Sequence, residues 1–121
     1  MEKTPMQIVQ EGFGGGMASG TDSWKEFIAD DITFTGPAAQ VAGKSDFIKL
    51  NEGFMSMVRG AGMIKAVEVD NYVITQVAID VEMPTGKTIT LDMSEWYETE
   101  NGKIKSIKVY YDAEEFRRES I

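Results

Sequence analysis

From Gly62 onward the chain alternates apolar and polar residues, whereas the region before it carries helical spacing. Ile64 to Asp70 reads as one strand and Tyr72 to Met83 as a longer one, joined by a tight turn at Asp70-Asn71. In the longer strand Val73, Val77, Ile79 and Val81 share one side, and Gln76, Ala78, Asp80 and Glu82 share the other. Pro84-Thr85-Gly86 turns the chain into a strand over Lys87 to Glu98. There Asp92, Ser94 and Trp96 fall on one side and Met93, Glu95 and Tyr97 on the other. Asn101-Gly102 is a strong hairpin signal. It leads into Lys103 to Asp112, with Ile107, Val109 and Tyr111 on one face. A short charged helix is predicted over Ala113 to Glu119.

The first half predicts helices. Thr4 can cap, and Pro5 can open, a helix over about residues 5 to 18 bearing Ile8, Val9 and Phe13. Gly12, Gly14, Gly15 and Gly16 weaken it, each by roughly 0.5–1 kcal/mol relative to alanine. They do not form a phosphate loop, because no strand precedes them and no Gly-Lys-Ser/Thr follows. Thr21 or Asp22 can cap a second helix with Trp24, Phe27 and Ile28 on its apolar face, ended by Asp30 and Asp31. A short strand, Ile32 to Thr35, stops at Gly36-Pro37. Gly43 to Arg59 gives the clearest helix, with Phe47, Leu50, Phe54, Met57 and Val58 three or four residues apart and Gly60 and Gly62 closing it. The expected order is helices first, then a four-strand antiparallel meander, with the early strand added at an edge. Turns this short cannot carry parallel crossovers, so a doubly wound sheet is excluded. The helices must then cover one sheet face, which predicts an α+β layer with a strongly bent sheet. No linker, repeat or low-complexity segment divides the chain, so a single domain over 1–121 is expected.

Composition narrows the chemistry. The 121 residues contain neither cysteine nor histidine. Disulfides, Cys/His zinc sites and Ser-His-Asp or Cys-His catalysis are therefore excluded. Lys and Arg number 12 against 20 Asp and Glu, a formal charge of -8. That field repels phosphate, and the sparse Lys103, Lys105 and Lys108 make no basic patch, so no nucleic-acid partner is expected. No run of 18 apolar residues spans a bilayer, and Met1 to Gln10 lacks a signal-peptide pattern, so a cytoplasmic protein without a membrane partner is expected. No calcium-type Asp/Asn loop is present, and neither a metal site nor a cofactor is predicted. The eight methionines suit flexible core filling or a forgiving apolar pocket.

Several phrases, in this order and spacing, resemble a known family. Phe27-Ile28-Ala29-Asp30-Asp31-Ile32-Thr33-Phe34 resembles the first-strand phrase of the cone-shaped nuclear-transport-factor-2-like domains, the group of SnoaL-like and ketosteroid-isomerase-like proteins. Gly43-Lys44-Ser45-Asp46-Phe47-Ile48 is similar to their opening of the third helix. Glu95-Trp96-Tyr97, Gly102-Lys103-Ile104 and Tyr110-Tyr111-Asp112 with Phe116 are similar to their closing hairpin. The resemblance implies a cone-shaped, barrel-like α+β fold, with N-terminal helices in a strongly curved, mostly antiparallel sheet. It also implies a pocket at the open end and frequent dimers through the outer sheet face. It does not carry the isomerase acids across. The acid before the proline falls on Gly36, and the acid eight residues before the last glycine falls on Ser94, with Asp92 or Glu95 within a shift of one or two residues. The histidine-acid pair of the cyclases is absent. The Asp-Arg-Asp set of the epoxide hydrolases also matches poorly, because Arg59 ends a helix rather than sitting inside a strand.

The remaining candidates are carboxylates in central strands. Asp80 and Asp92 are the expected catalytic acids, since adjacent antiparallel strands bring such groups within about 5 Å and enclosure splits their pKa values. Trp24, Phe54, Gln76, Ser94, Trp96 and Tyr111 are the expected ligand-binding residues, and Glu95 is read as a rim or outer charge. The sequence leaves open which strand face lines the pocket. The expected partner is a small hydrophobic molecule with one polar end, bound by a pocket protein with acid/base chemistry of isomerase, cyclase or dehydratase type. The alternative is a non-catalytic homodimeric association module.

Overall fold

The computed structural model describes residues 3–14 and 22–120. Its first element, α1 (Pro5–Val9), is closed by a reciprocal cap. Thr4 Oγ1 accepts from the Gln7 amide at 3.2 Å, and Gln7 Oε1 accepts from the Thr4 amide at 2.8 Å. A π-helical turn, Gln10–Gly14, continues it. The remainder of the helix expected to residue 18, Gly15, Gly16 and the Thr21 cap lie outside the described residues. The second expected helix is only a 3-10 turn, Ser23–Phe27, and the chain is extended from Ile28. Ile28 and Ile32, four apart, satisfy a helical period and a two-residue period alike. Both are wholly buried, and Asp30 and Asp31 between them are exposed strand residues rather than a helix end.

The sheet has six strands: β1 (Ile28–Thr35), β2 (Gln40–Ala42), β3 (Val58–Val69), β4 (Tyr72–Glu82), β5 (Thr88–Glu100) and β6 (Lys103–Tyr110). Their order is β2-β1-β6-β5-β4-β3, antiparallel throughout except for the parallel β1–β6 pair. This corrects two expectations. The early strand lies inside the sheet, because β2 hairpins back outside it. The sheet is also not the strongly curved, barrel-like cone. It is open and not strongly curled, with β2 and β3 as separate edges, and closure would need a β2–β3 pair that does not exist. The α+β class and the mostly antiparallel pairing stand.

The helix α2 (Lys44–Met55) lies over this sheet and buries Phe47 to 2% exposure. Truncating Phe47 to alanine would cost about 3–5 kcal/mol. The helix stops earlier than Arg59, and the glycines read as its terminus belong to β3. Gly60 pairs with Asp80, where an added Cβ would lie 3.2 Å from the Asp80 carboxylate. Extra residues interrupt the β3 register between Val58 and Gly60 and between Met63 and Lys65, which bends this long edge strand. A last helix, α3 (Glu114–Arg118), sets Phe116 against Phe54 and Tyr111, at ring distances of 6.4 and 6.3 Å. Arg117 ties it to the Pro37 carbonyl, and Lys87 to Glu115 at 2.9 Å. The core forms two clusters on the inner sheet face. One gathers Ile8, Trp24, Phe47, Val73, Tyr97 and Ile107, and the other gathers Val77, Val81, Ile89, Leu91 and Met93. Among the described residues no helix is long and apolar enough to cross a membrane.

Candidate functional site

Alternation along β4 and β5 decides which side chains meet. Val73, Val77 and Val81 on β4, and Ile89, Leu91, Met93 and Tyr97 on β5, are all buried, so the odd-numbered positions face inward. Thr75 and Glu95 fall in that phase. They are direct partners in the β4–β5 ladder, with Ala66 beyond Thr75 and Val109 beyond Glu95. A carboxylate, with the Thr75 hydroxyl beside it, thus stands in the middle of a mostly apolar face.

That face borders a cavity of about 820 Å³ reaching from Phe13 and Phe47 to Met57 and Phe116. Among the described residues, Glu95 is the only anion lining it and Lys49 the only cation. Thr75, 2% exposed, donates its hydroxyl to Glu95 Oε1 at 2.9 Å. Burial pushes the Glu95 carboxyl above its usual range, because desolvation penalises the charged form. Hydrogen bonding by Thr75 and then Tyr97 offsets part of this. The Tyr97 phenol is driven well above its ordinary value, first by burial and then by the neighbouring carboxylate. Aromatic rings floor this end of the cavity. Phe13 lies 5.3 Å from Tyr97, 6.0 Å from Trp24 and 6.1 Å from Phe47. Tyr111 lines the far side, its hydroxyl also shifted upward by burial, with Arg117 opposing. A carboxyl so placed gives a proton to a carbonyl oxygen when neutral and takes one from an acidic C–H or water when ionised.

A profile of the SnoaL-like domain matches residues 15–107. The chain belongs to the SnoaL-like family. Solved structures agree on the fold of this SnoaL-like chain. A protein of unknown function from Burkholderia pseudomallei, described as nuclear-transport-factor-2-like, is 16% identical with a TM-score of 0.80, covering 97% of each chain. A proposed SnoaL-like polyketide cyclase from Mesorhizobium loti is 22% identical with a TM-score of 0.75, covering 90% of this chain and all of its own. TerC, crystallised with polyporic acid, is 13% identical with a TM-score of 0.78, covering 96% of this chain and 97% of its own. Comparison with curated proteins gives no match.

The structure distributes the expected site residues of this SnoaL-like chain over both sheet faces. Phe54 and Tyr111 line the cavity, and Trp24 is buried beside Phe13 below it. Gln76, Asp80, Asp92, Ser94 and Trp96 lie in the opposite phase, on the outer face. Asp80 is exposed and accepts from Thr90 Oγ1 at 2.6 Å. Gln76, Asp92 and Ser94 border a separate hollow of about 440 Å³ with Lys65 and Tyr110. At the two positions matched to isomerase acids, Gly36 lines the cavity and Ser94 points away, while Glu95, one residue on, points in. Gly36 itself is a close approach, since an added Cβ would sit 2.7 Å from Val109 Cγ2. Among the described residues no group of three or more acidic side chains could hold a metal ion.

Proposed function

We propose that residues 1–121 act as one unit that binds an apolar small molecule in this cavity, and that Glu95 exchanges a proton with it. The observation that carries the reading is a single carboxyl, the only anion lining a mostly apolar cavity among the described residues, half-buried and held by Thr75, where burial raises its pKa. This reading gives the acid/base role to Glu95 rather than to Asp80 and Asp92, which face the other way. Phe54 and Tyr111 serve as ligand contacts, and Trp24 supports the aromatic floor. Membership of the family and the co-crystallised ligand of TerC support small-molecule binding by analogy of fold. The reaction class it fits is isomerisation, cyclisation or dehydration through an enol, which needs a proton moved and no metal. Native mass spectrometry of freshly purified protein identifies the bound molecule. With that molecule, Glu95→Gln should retain binding and slow solvent-deuterium exchange next to its carbonyl by about 100-fold or more. Exchange at the wild-type rate in this variant would remove Glu95 from the chemistry.

A second reading concerns the outer face. Trp96 is 41% exposed, Tyr110 57% and Val67 40%, an apolar group uncovered on one sheet surface. It favours a homodimer through that face, which sedimentation velocity over a concentration series tests.

A further inference from the structure

We infer that the molecule in this cavity is an apolar acid whose anionic end pairs with Lys49 at the cavity's margin. The inference rests on the proposed small-molecule reading and narrows its ligand class. Lys49 belongs to α2 and lines the cavity while remaining exposed to solvent, so its ammonium can meet a charged group without being desolvated first. Among the described residues it forms no ion pair, whereas six of the other eleven cations do, among them Lys25 with Asp22 and Glu52, Arg59 with Glu82, and Lys87 with Glu115. Lys25 thus engages Glu52, which follows Lys49 by three residues on the same helix, while Asp46 precedes it by three. The two charged side chains at the cavity therefore stand in different settings. Glu95 is half-buried on the inner sheet face, held by Thr75, and suits a carbonyl or hydroxyl within the ligand. Lys49 is open and suits a carboxylate at the ligand's end. The apolar lining of the same cavity, including Leu50, Val77 and Met93, fits the ligand's body.

The whole-molecule field predicts the opposite preference. A net charge of -8 favours a cationic ligand, so selection of an anion must come from a local group. The test uses three fluorescent probes with one apolar body: pyrenebutyrate, pyrenebutanol and pyrenebutylamine. Pyrenebutyrate should bind about tenfold tighter than pyrenebutanol at low salt. Lys49→Gln should abolish that preference and leave pyrenebutanol affinity unchanged, and Lys49→Arg should retain it. Pyrenebutylamine binding as tightly as pyrenebutyrate would overturn the inference, as would equal loss of all three probes in Lys49→Gln. Pyrenebutanol binding without any carboxylate preference defeats the anion site alone. Failure of all three probes to bind defeats the cavity reading and this inference together.

Discussion

Glu95 carries the conflict between burial and charge that the cavity is built around. Its folded-state pKa lies above the ordinary carboxyl value, with desolvation as the leading cause. Across the window between those two values the native protein keeps a proton that the unfolded chain has lost, so native binding exceeds unfolded binding. Stability contributed by this residue is therefore present below the window and falls as pH rises through it. Glu95→Gln cannot ionise and escapes that loss. Thermal midpoints of the two proteins, measured from acid to neutral pH, should diverge in favour of the glutamine variant as pH rises. A difference that stays constant with pH would mean that the carboxyl is solvated. The residue was legible in the sequence: Ile89, Leu91, Met93 and Tyr97 set an apolar phase, and Glu95 interrupts it. What hid it was its neighbourhood. Glu98 and Glu100 make the end of β5 look like a solvated rim, and Asp92 offers a competing carboxylate in the opposite phase.

At the scale of elements, the hairpins of β4, β5 and β6 were readable because their turns leave strong local marks. Asn101 and Gly102 both adopt positive φ, 54° and 77°, as the Asn-Gly pair demands. Two kinds of feature were not readable. Ile28 and Ile32 fit helix and strand spacing equally, and only tertiary pairing of β1 with β6 resolves them. Bulges were silent too. Ile104 faces the core in one phase and Ile107 in the other, because the β5–β6 register shifts between Glu98 and Thr99. The close approach of Gly36, just past the end of β1, to Val109 of the neighbouring β6 offers a direct check on this packing. Gly36→Ala should destabilise the protein by about 1–3 kcal/mol through overpacking against Val109. Adding Val109→Ala should recover part of that loss, giving a favourable coupling in a urea-denaturation double-mutant cycle. Simple additivity of the two changes would place the clash elsewhere.

For the whole molecule, the two sheet faces keep the two functional readings apart. The inner face holds Glu95 and the cavity, and the outer face holds Trp96, Tyr110 and Val67 uncovered. Tyr72 stands edge-on to Trp96 at a ring distance of 6.5 Å, so the outer aromatic group is already ordered for contact. Two copies brought together there would bury apolar area while opposing two charges of -8. The first effect is insensitive to moderate salt, and the second is screened by it. The proposed dimer should therefore tighten as ionic strength rises, the reverse of an assembly held by ion pairs. Trp96→Glu should dissociate it at every salt concentration, because the change adds charge to the contact and removes its largest ring. Since Trp96 points away from the cavity, probe binding on the inner face should survive unchanged in the same variant. Sedimentation velocity and pyrenebutanol titration on one preparation read both outcomes. Loss of probe binding together with the dimer would mean that the cavity depends on assembly. A wild-type monomer at high micromolar concentration and high salt would leave the outer face without its partner.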